Sequence, residues 1–84
     1  MHRKIDTAAR LAQEIGEIVR RERELLGLRQ DELALAAGVS TRVVHQIEHG
    51  KATSRLDSLV PLLEALGLGL EVQPQRQTPE GDAR

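Results

Sequence analysis

The amino-acid sequence predicts a mainly α-helical fold of four to five helices with one C-terminal strand. Three observations predict it. Residues 28–50 read as two short helices joined by a tight turn at Gly38-Val39. Apolar residues recur at helical spacing on both sides of that segment. Residues 67–73, by contrast, alternate with a period of two, the mark of a strand. A folded domain is expected over residues 1–73. Residues 74–84 are polar and hold Pro74, Pro79 and Gly81, so a disordered tail is expected there.

The first helix is expected from Thr7, capped by Asp6 or Thr7, to Leu26. Leu11, Ile15, Ile18, Val19 and Leu26 form its apolar side. Gly16 falls inside it and costs about 1 kcal/mol relative to alanine. Either the helix runs through Gly16, or residues 6–15 form a separate element. The second helix is expected over residues 30–37, with Leu33, Ala34 and Ala37 on its buried side. Gly38 then reverses the chain without steric cost. Ser40 is placed to cap the third helix, which Gly50 closes.

On a wheel of about 100° per residue, the third helix divides sharply. Val43, Val44 and Ile47 form a dry face. Thr41, Arg42, His45, Gln46 and His49 form a wet face with no acid. Solvated helix faces usually favour Glu and Lys, so this face points elsewhere. Arg pairs with guanine and Gln with adenine in the major groove, and Thr bonds a base or touches a thymine methyl. Two short helices with such a second helix make a helix-turn-helix pattern.

The same residues carry a family resemblance. Gly27, Leu28, Gln30, Leu33, Ala34, Ala37, Gly38, Val39 and Ser40, then Val44, Ile47, Glu48, Gly50 and Lys51, match without gaps. Leu56, Leu59, Ala65, Leu66 and Gly67 continue the match into a fourth helix, expected over residues 55–66. Over residues 19–67 the chain resembles the Cro/lambda-repressor-like (XRE) helix-turn-helix family, and its ending resembles the HipB-like antitoxins. The resemblance implies a lambda-repressor-like fold that binds double-stranded DNA. It implies that Gln30 contacts the phosphate backbone and braces a recognition residue. It also implies an ion pair between Arg23 and Glu48, tying helix one to the recognition helix. Where the family has a capping Thr or Ser, this chain has Arg29, which weakens the cap and makes a phosphate contact available.

Ser40, Thr41, Arg42, His45, Gln46 and His49 are thus the expected DNA-facing residues of the third helix. Gln30, Arg29, Lys51 and Arg55 are expected at phosphates, where they position rather than specify. His45 and His49 have the i, i+4 spacing of metal ligands, but no third ligand accompanies them, so no metal is expected. No cofactor and no catalytic residue is expected either. The serines and histidines form no nucleophile–base arrangement.

Composition narrows the classes further. The chain has 84 residues, no aromatic residue, no cysteine and a formal net charge of −1. Absent aromatics argue against single-strand binders that stack bases. Absent cysteine excludes disulfide and thiol chemistry. No apolar run approaches a membrane span and no signal-peptide core is present, so a cytoplasmic, nucleoid-associated protein is expected. The charge is uneven: Arg42, Lys51 and Arg55 stand against Glu48 alone in residues 39–55, while acids dominate after residue 56.

The alternation at Leu68, Leu70 and Val72 needs a partner, because a lone strand leaves its backbone groups unsatisfied. An antiparallel ribbon with the same segment (residues 68–73) of a second subunit satisfies both. A short tail packed on its own domain is the alternative. Such a homodimer presents two recognition helices to a pseudo-palindromic operator. The leading expectation is a dimeric repressor, the antitoxin of a HipAB-type system, with a HipA-like kinase toxin as partner. A stand-alone phage-type or metabolic repressor, or a protein-interaction module without DNA, are the alternatives.

Overall fold

Four helices follow one another in a computed structural model that describes residues 3–75, with side chains described from Thr7 onward. They are α1 (Arg3–Leu25), α2 (Gln30–Ala37), α3 (Thr41–Glu48) and α4 (Leu56–Ala65). Helix α1 is continuous, so Gly16 does not break it, and the helix begins before Thr7. It ends one residue before the expected Leu26. No helix among the described residues is long and apolar enough to cross a membrane.

The core draws on every helix. Val19, Leu33, Val44 and Leu62 are fully buried, with Ala34, Ile47, Leu59, Leu63 and Leu66 beside them. Ile15, Ala37, Val39 and Val43 pack against this cluster. The expected apolar side of α1 is corrected here. Leu11, Ile18 and Leu26 are exposed, and only Val19 is buried outright. The reason is geometric: α3 covers one narrow stripe of α1, and the remaining apolar positions find no covering element among the described residues. Leu56 is also exposed, because it opens α4 and stands beyond the core. Pro61 lies inside α4 and is half-buried. It withholds a donor from the carbonyl four residues earlier, at Asp57.

The turn between α2 and α3 is built as its residues dictate. Gly38 takes the left-handed conformation at φ 74°. Its N–H and that of Val39 both reach back to Ala34 O, at 2.9 and 3.0 Å. A residue with a Cβ is disfavoured there by roughly 1–2 kcal/mol. Ser40 then caps α3, its hydroxyl oxygen accepting from Val43 N at 3.1 Å. Arg29 stands at the capping position of α2 and has no acceptor to offer. Glu32 compensates: its carboxylate accepts from Arg29 N–H at 2.8 Å.

After Gly67 the chain leaves the helical layer. Leu68 packs on the core, while residues 69–75 are exposed and adopt no regular structure. Among the described residues none belongs to a strand. Among the described residues the last backbone hydrogen bond is that of Leu68 N–H to Leu63 O, at 2.8 Å. Most of the expected tail, from Arg76 on, lies outside the described residues.

Candidate nucleic-acid interface

Helix α3 turns Val44 and Ile47 into the core and leaves its other face to solvent. Thr41, Arg42, His45 and His49 are exposed, and Gln46 is half-buried. The arrangement follows from the sequence: a dry stripe of three β-branched residues can be satisfied only against α1, α2 and α4. The wet stripe is then directed outward by default.

One interaction from behind fixes the height and pitch of α3. The Arg23 guanidinium grips Glu48 with two bonds, Nε to Oε2 at 2.6 Å and Nη2 to Oε1 at 3.0 Å. Its third nitrogen, Nη1, donates to Leu28 O at 2.7 Å. Gln30 Nε2 adds a bond to Glu48 Oε1 at 3.1 Å. The side chains are 12 % and 2 % exposed for Arg23 and Glu48, so the pair works largely out of water. Burial pushes the Glu48 carboxyl up. The bonds from Arg23 and Gln30, with the charges of Arg23 and Arg20, outweigh it and hold the group below the usual carboxylate range. Gln30 therefore braces the ion pair and not a residue of the wet face.

On the wet face, two contacts order the side chains. The rings of His45 and His49 lie 4.1 Å apart at 31°. His49 Nδ1 stands 2.8 Å from His45 O. A carbonyl only accepts, so Nδ1 is the donor in this contact. Lys51 Nζ donates to Gln46 Oε1 at 3.3 Å. That bond orients the Gln46 amide before any ligand arrives. No group of three or more His, Cys, Asp or Glu side chains suited to a metal exists among the described residues.

The charge distribution differs from its linear reading. Arg55 is held by Asp57 through two bonds, at 2.9 and 2.6 Å. Arg29 is held by Asp31 at 3.1 Å and by Glu32 at 3.5 Å. Both are exposed, but each brings its own counter-charge. Arg42 and Lys51 alone among the expected DNA-facing cations have no acidic partner among the described residues. The Arg55–Asp57 pair was open to sequence reading at a spacing of two. It was missed because helical charge rules look three and four residues ahead.

A second surface was not foreseen. Leu11, Leu56, Leu70 and Val72 line an open groove of about 550 Å³ with Ala8 and Ile15. The groove lies between the first half of α1, the start of α4 and the extended segment after Gly67. Val72 is 96 % exposed, with almost no cover among the described residues.

A four-helix domain whose third helix presents an acid-free polar face across a glycine turn is a helix-turn-helix domain. Residues 19–73 match the helix-turn-helix family model of the XRE type, about two thirds of the chain, and the chain belongs to that family. It is similar to an uncharacterized HTH-type transcriptional regulator, y4mF, of Sinorhizobium fredii (strain NBRC 101917 / NGR234). The two are 38% identical over 72 residues, covering 86% of this chain and 90% of that protein.

Proposed function

We propose that this protein is a sequence-specific transcriptional repressor that binds double-stranded DNA as a homodimer. The observation that carries the reading is the solvent face of α3. Thr41, Arg42, His45, Gln46 and His49 share it, Glu48 is turned inward, and Arg42 has no acidic partner among the described residues. Arg42 and Gln46 read base edges. Thr41 and His45 add contacts beside them, and Ser40, whose oxygen is committed to the cap, keeps its O–H for a phosphate. Lys51, Gln30 and His49 meet the backbone, while Arg29 and Arg55 do so at the expense of their carboxylate partners. The similarity to a protein named as a transcriptional regulator supports the same conclusion.

The test is retardation of the duplex upstream of the protein's own reading frame, against a scrambled duplex, over a salt series. Preferential binding that weakens with salt is expected, because released counterions drive phosphate contacts. Equal binding to both duplexes refutes sequence recognition. No binding to either leaves a protein-interaction module as the better reading.

Dimerisation is supported by the segment after Gly67. Among the described residues its backbone groups have no backbone bonds beyond Leu68, and Leu70 and Val72 are exposed beside the apolar groove. Pairing of Leu68, Leu70 and Val72 with their copies in an antiparallel ribbon satisfies both. Removing residues 68–84 is expected to yield a monomer in light scattering. A full dimer after truncation refutes the ribbon.

The finer reading is an antitoxin of a HipAB-type system that represses its own operon and binds a HipA-like kinase toxin. The resemblance of residues 50–74 to the HipB-like ending supports it. Co-purification with the product of an adjacent kinase-like frame tests it. The similar protein is named as a transcriptional regulator, and a stand-alone repressor without a toxin partner is the second reading.

A further inference from the structure

We infer that Gly16 is a positioning residue for the recognition helix: its missing side chain makes α1 a seat for the carboxyl end of α3. The inference rests on the reading that α3 contacts DNA. A Cβ at Gly16 would overlap Ile47 O and stand 2.8 Å from Glu48 O and 3.0 Å from Glu48 C. One turn earlier on α1, Gln13 meets the residue that closes the turn. A Cβ at Gly50 would stand 2.9 Å from Gln13 Cγ and 3.3 Å from Gln13 Cα. Two glycines therefore permit the same close approach, one from each side.

The spacing on α1 explains the arrangement. Gly16, Val19 and Arg23 recur at helical intervals and share one face. Gly16 receives the main chain of Ile47 and Glu48, Val19 fills the core, and Arg23 grips the Glu48 carboxylate. Glu48 is thus held at both its backbone and its carboxylate by one helix. Gln46 and His49 flank that anchored point, so the depth of the seat sets how far they project. A glycine is a poor choice for the middle of a 23-residue helix on propensity alone. Close approach of another backbone accounts for it.

The experiment compares the full-length protein with its Gly16→Ala variant, using a duplex selected by the unmodified protein from a random 30-base-pair library (about three helical turns) and a scrambled duplex of equal composition. Leu63→Ala, a core change in α4, controls for lost stability. Gly16→Ala is expected to lower the preference for the selected duplex about tenfold or more, with little change on the scrambled one. Leu63→Ala is expected to keep the preference. Carboxyl carbon NMR gives a readout that needs no DNA: in Gly16→Ala the Glu48 titration is expected to rise toward the ordinary range. In the unmodified protein, a nuclear Overhauser contact between Gly16 Hα and Glu48 Hα is expected.

Three results would overturn the seat: no such contact, an unchanged Glu48 titration in a folded Gly16→Ala, or an unchanged preference for the selected duplex. If the unmodified protein selects no duplex, the DNA reading fails by itself. The two NMR measurements then still decide the seat.

Discussion

Arg23→Ala is expected to be the most destabilising single change on the polar side of the molecule, costing about 3–5 kcal/mol at neutral pH. The variant leaves the Glu48 carboxylate, 2 % exposed, with the Gln30 amide as its remaining side-chain hydrogen-bond donor. It also frees Leu28 O, which the guanidinium satisfies in the intact protein. Domains of this kind are stable by roughly 5–15 kcal/mol in total, so the variant is expected to be partly unfolded or to melt early. Arg23→Lys is not a rescue, because an ammonium cannot make the parallel bonds of the guanidinium and reach Leu28 O as well.

The pH dependence follows from the depressed Glu48 carboxyl. A lowered folded-state value means that the ionised form contributes stability above the unfolded carboxyl's titration, near roughly pH 4.3. That contribution disappears as pH falls through the lowered folded value. Without Arg23, burial raises the carboxyl against weaker opposition from Gln30 and Arg20, so the variant has less stability to lose as pH falls. The gap between the two proteins is therefore widest at neutral pH and narrows in acid. Urea midpoints measured from pH 3 to 7 at one protein concentration check this, about where the carboxyl titrates. Equal midpoints at pH 7 would show that the pair holds nothing in place.

Arg42→Ala combined with Gln46→Ala is expected to have the largest effect on recognition. Each bidentate base contact is worth about 1–3 kcal/mol of discrimination. Together they correspond to a loss of roughly 30-fold to 10⁴-fold on the preferred duplex, reduced if the neighbouring positions are coupled. Stability is expected to change little, since Arg42 is exposed and Gln46 is bonded only to Lys51 Nζ. Binding to scrambled DNA is expected to fall slightly, by the loss of one cation. Fluorescence anisotropy on both duplexes, with a thermal melt of the protein alone, separates these effects. Unchanged discrimination would move the reading face off α3.

Lys51 makes a smaller contribution of a different kind. It orients Gln46 in the free protein and is also the free cation nearest the end of α3. Its removal acts on both the phosphate contact and the readiness of Gln46.

Much of this molecule is legible as one-dimensional pattern. The bounds of α2, the Gly38 turn, the Ser40 cap and the inward face of α3 follow from spacing and local stereochemistry alone. The family resemblance also implied that Arg23 and Glu48 meet. Other features do not follow from spacing. Leu11, Ile18, Leu26 and Leu56 satisfy a helical pattern and are nevertheless exposed, because periodicity identifies a face without saying what covers it. Gly16 reads as a weak point in a helix, and only the crossing of α1 with α3 shows a contact in its place. Arg29 and Arg55 read as free cations until the carboxylates beside them are seen.

By itself, then, the sequence determined a helix-turn-helix with an acid-free outward face, because side-chain direction along a helix is a local, periodic property. Tertiary structure decided the rest of how that face is held. It added Gln30 to the Arg23–Glu48 pair that the family resemblance already implied, and it set the end of α3 against Gly16. It also left an apolar groove open beside the segment after Gly67. These depend on the distances and angles between helices, and no single helix carries that information.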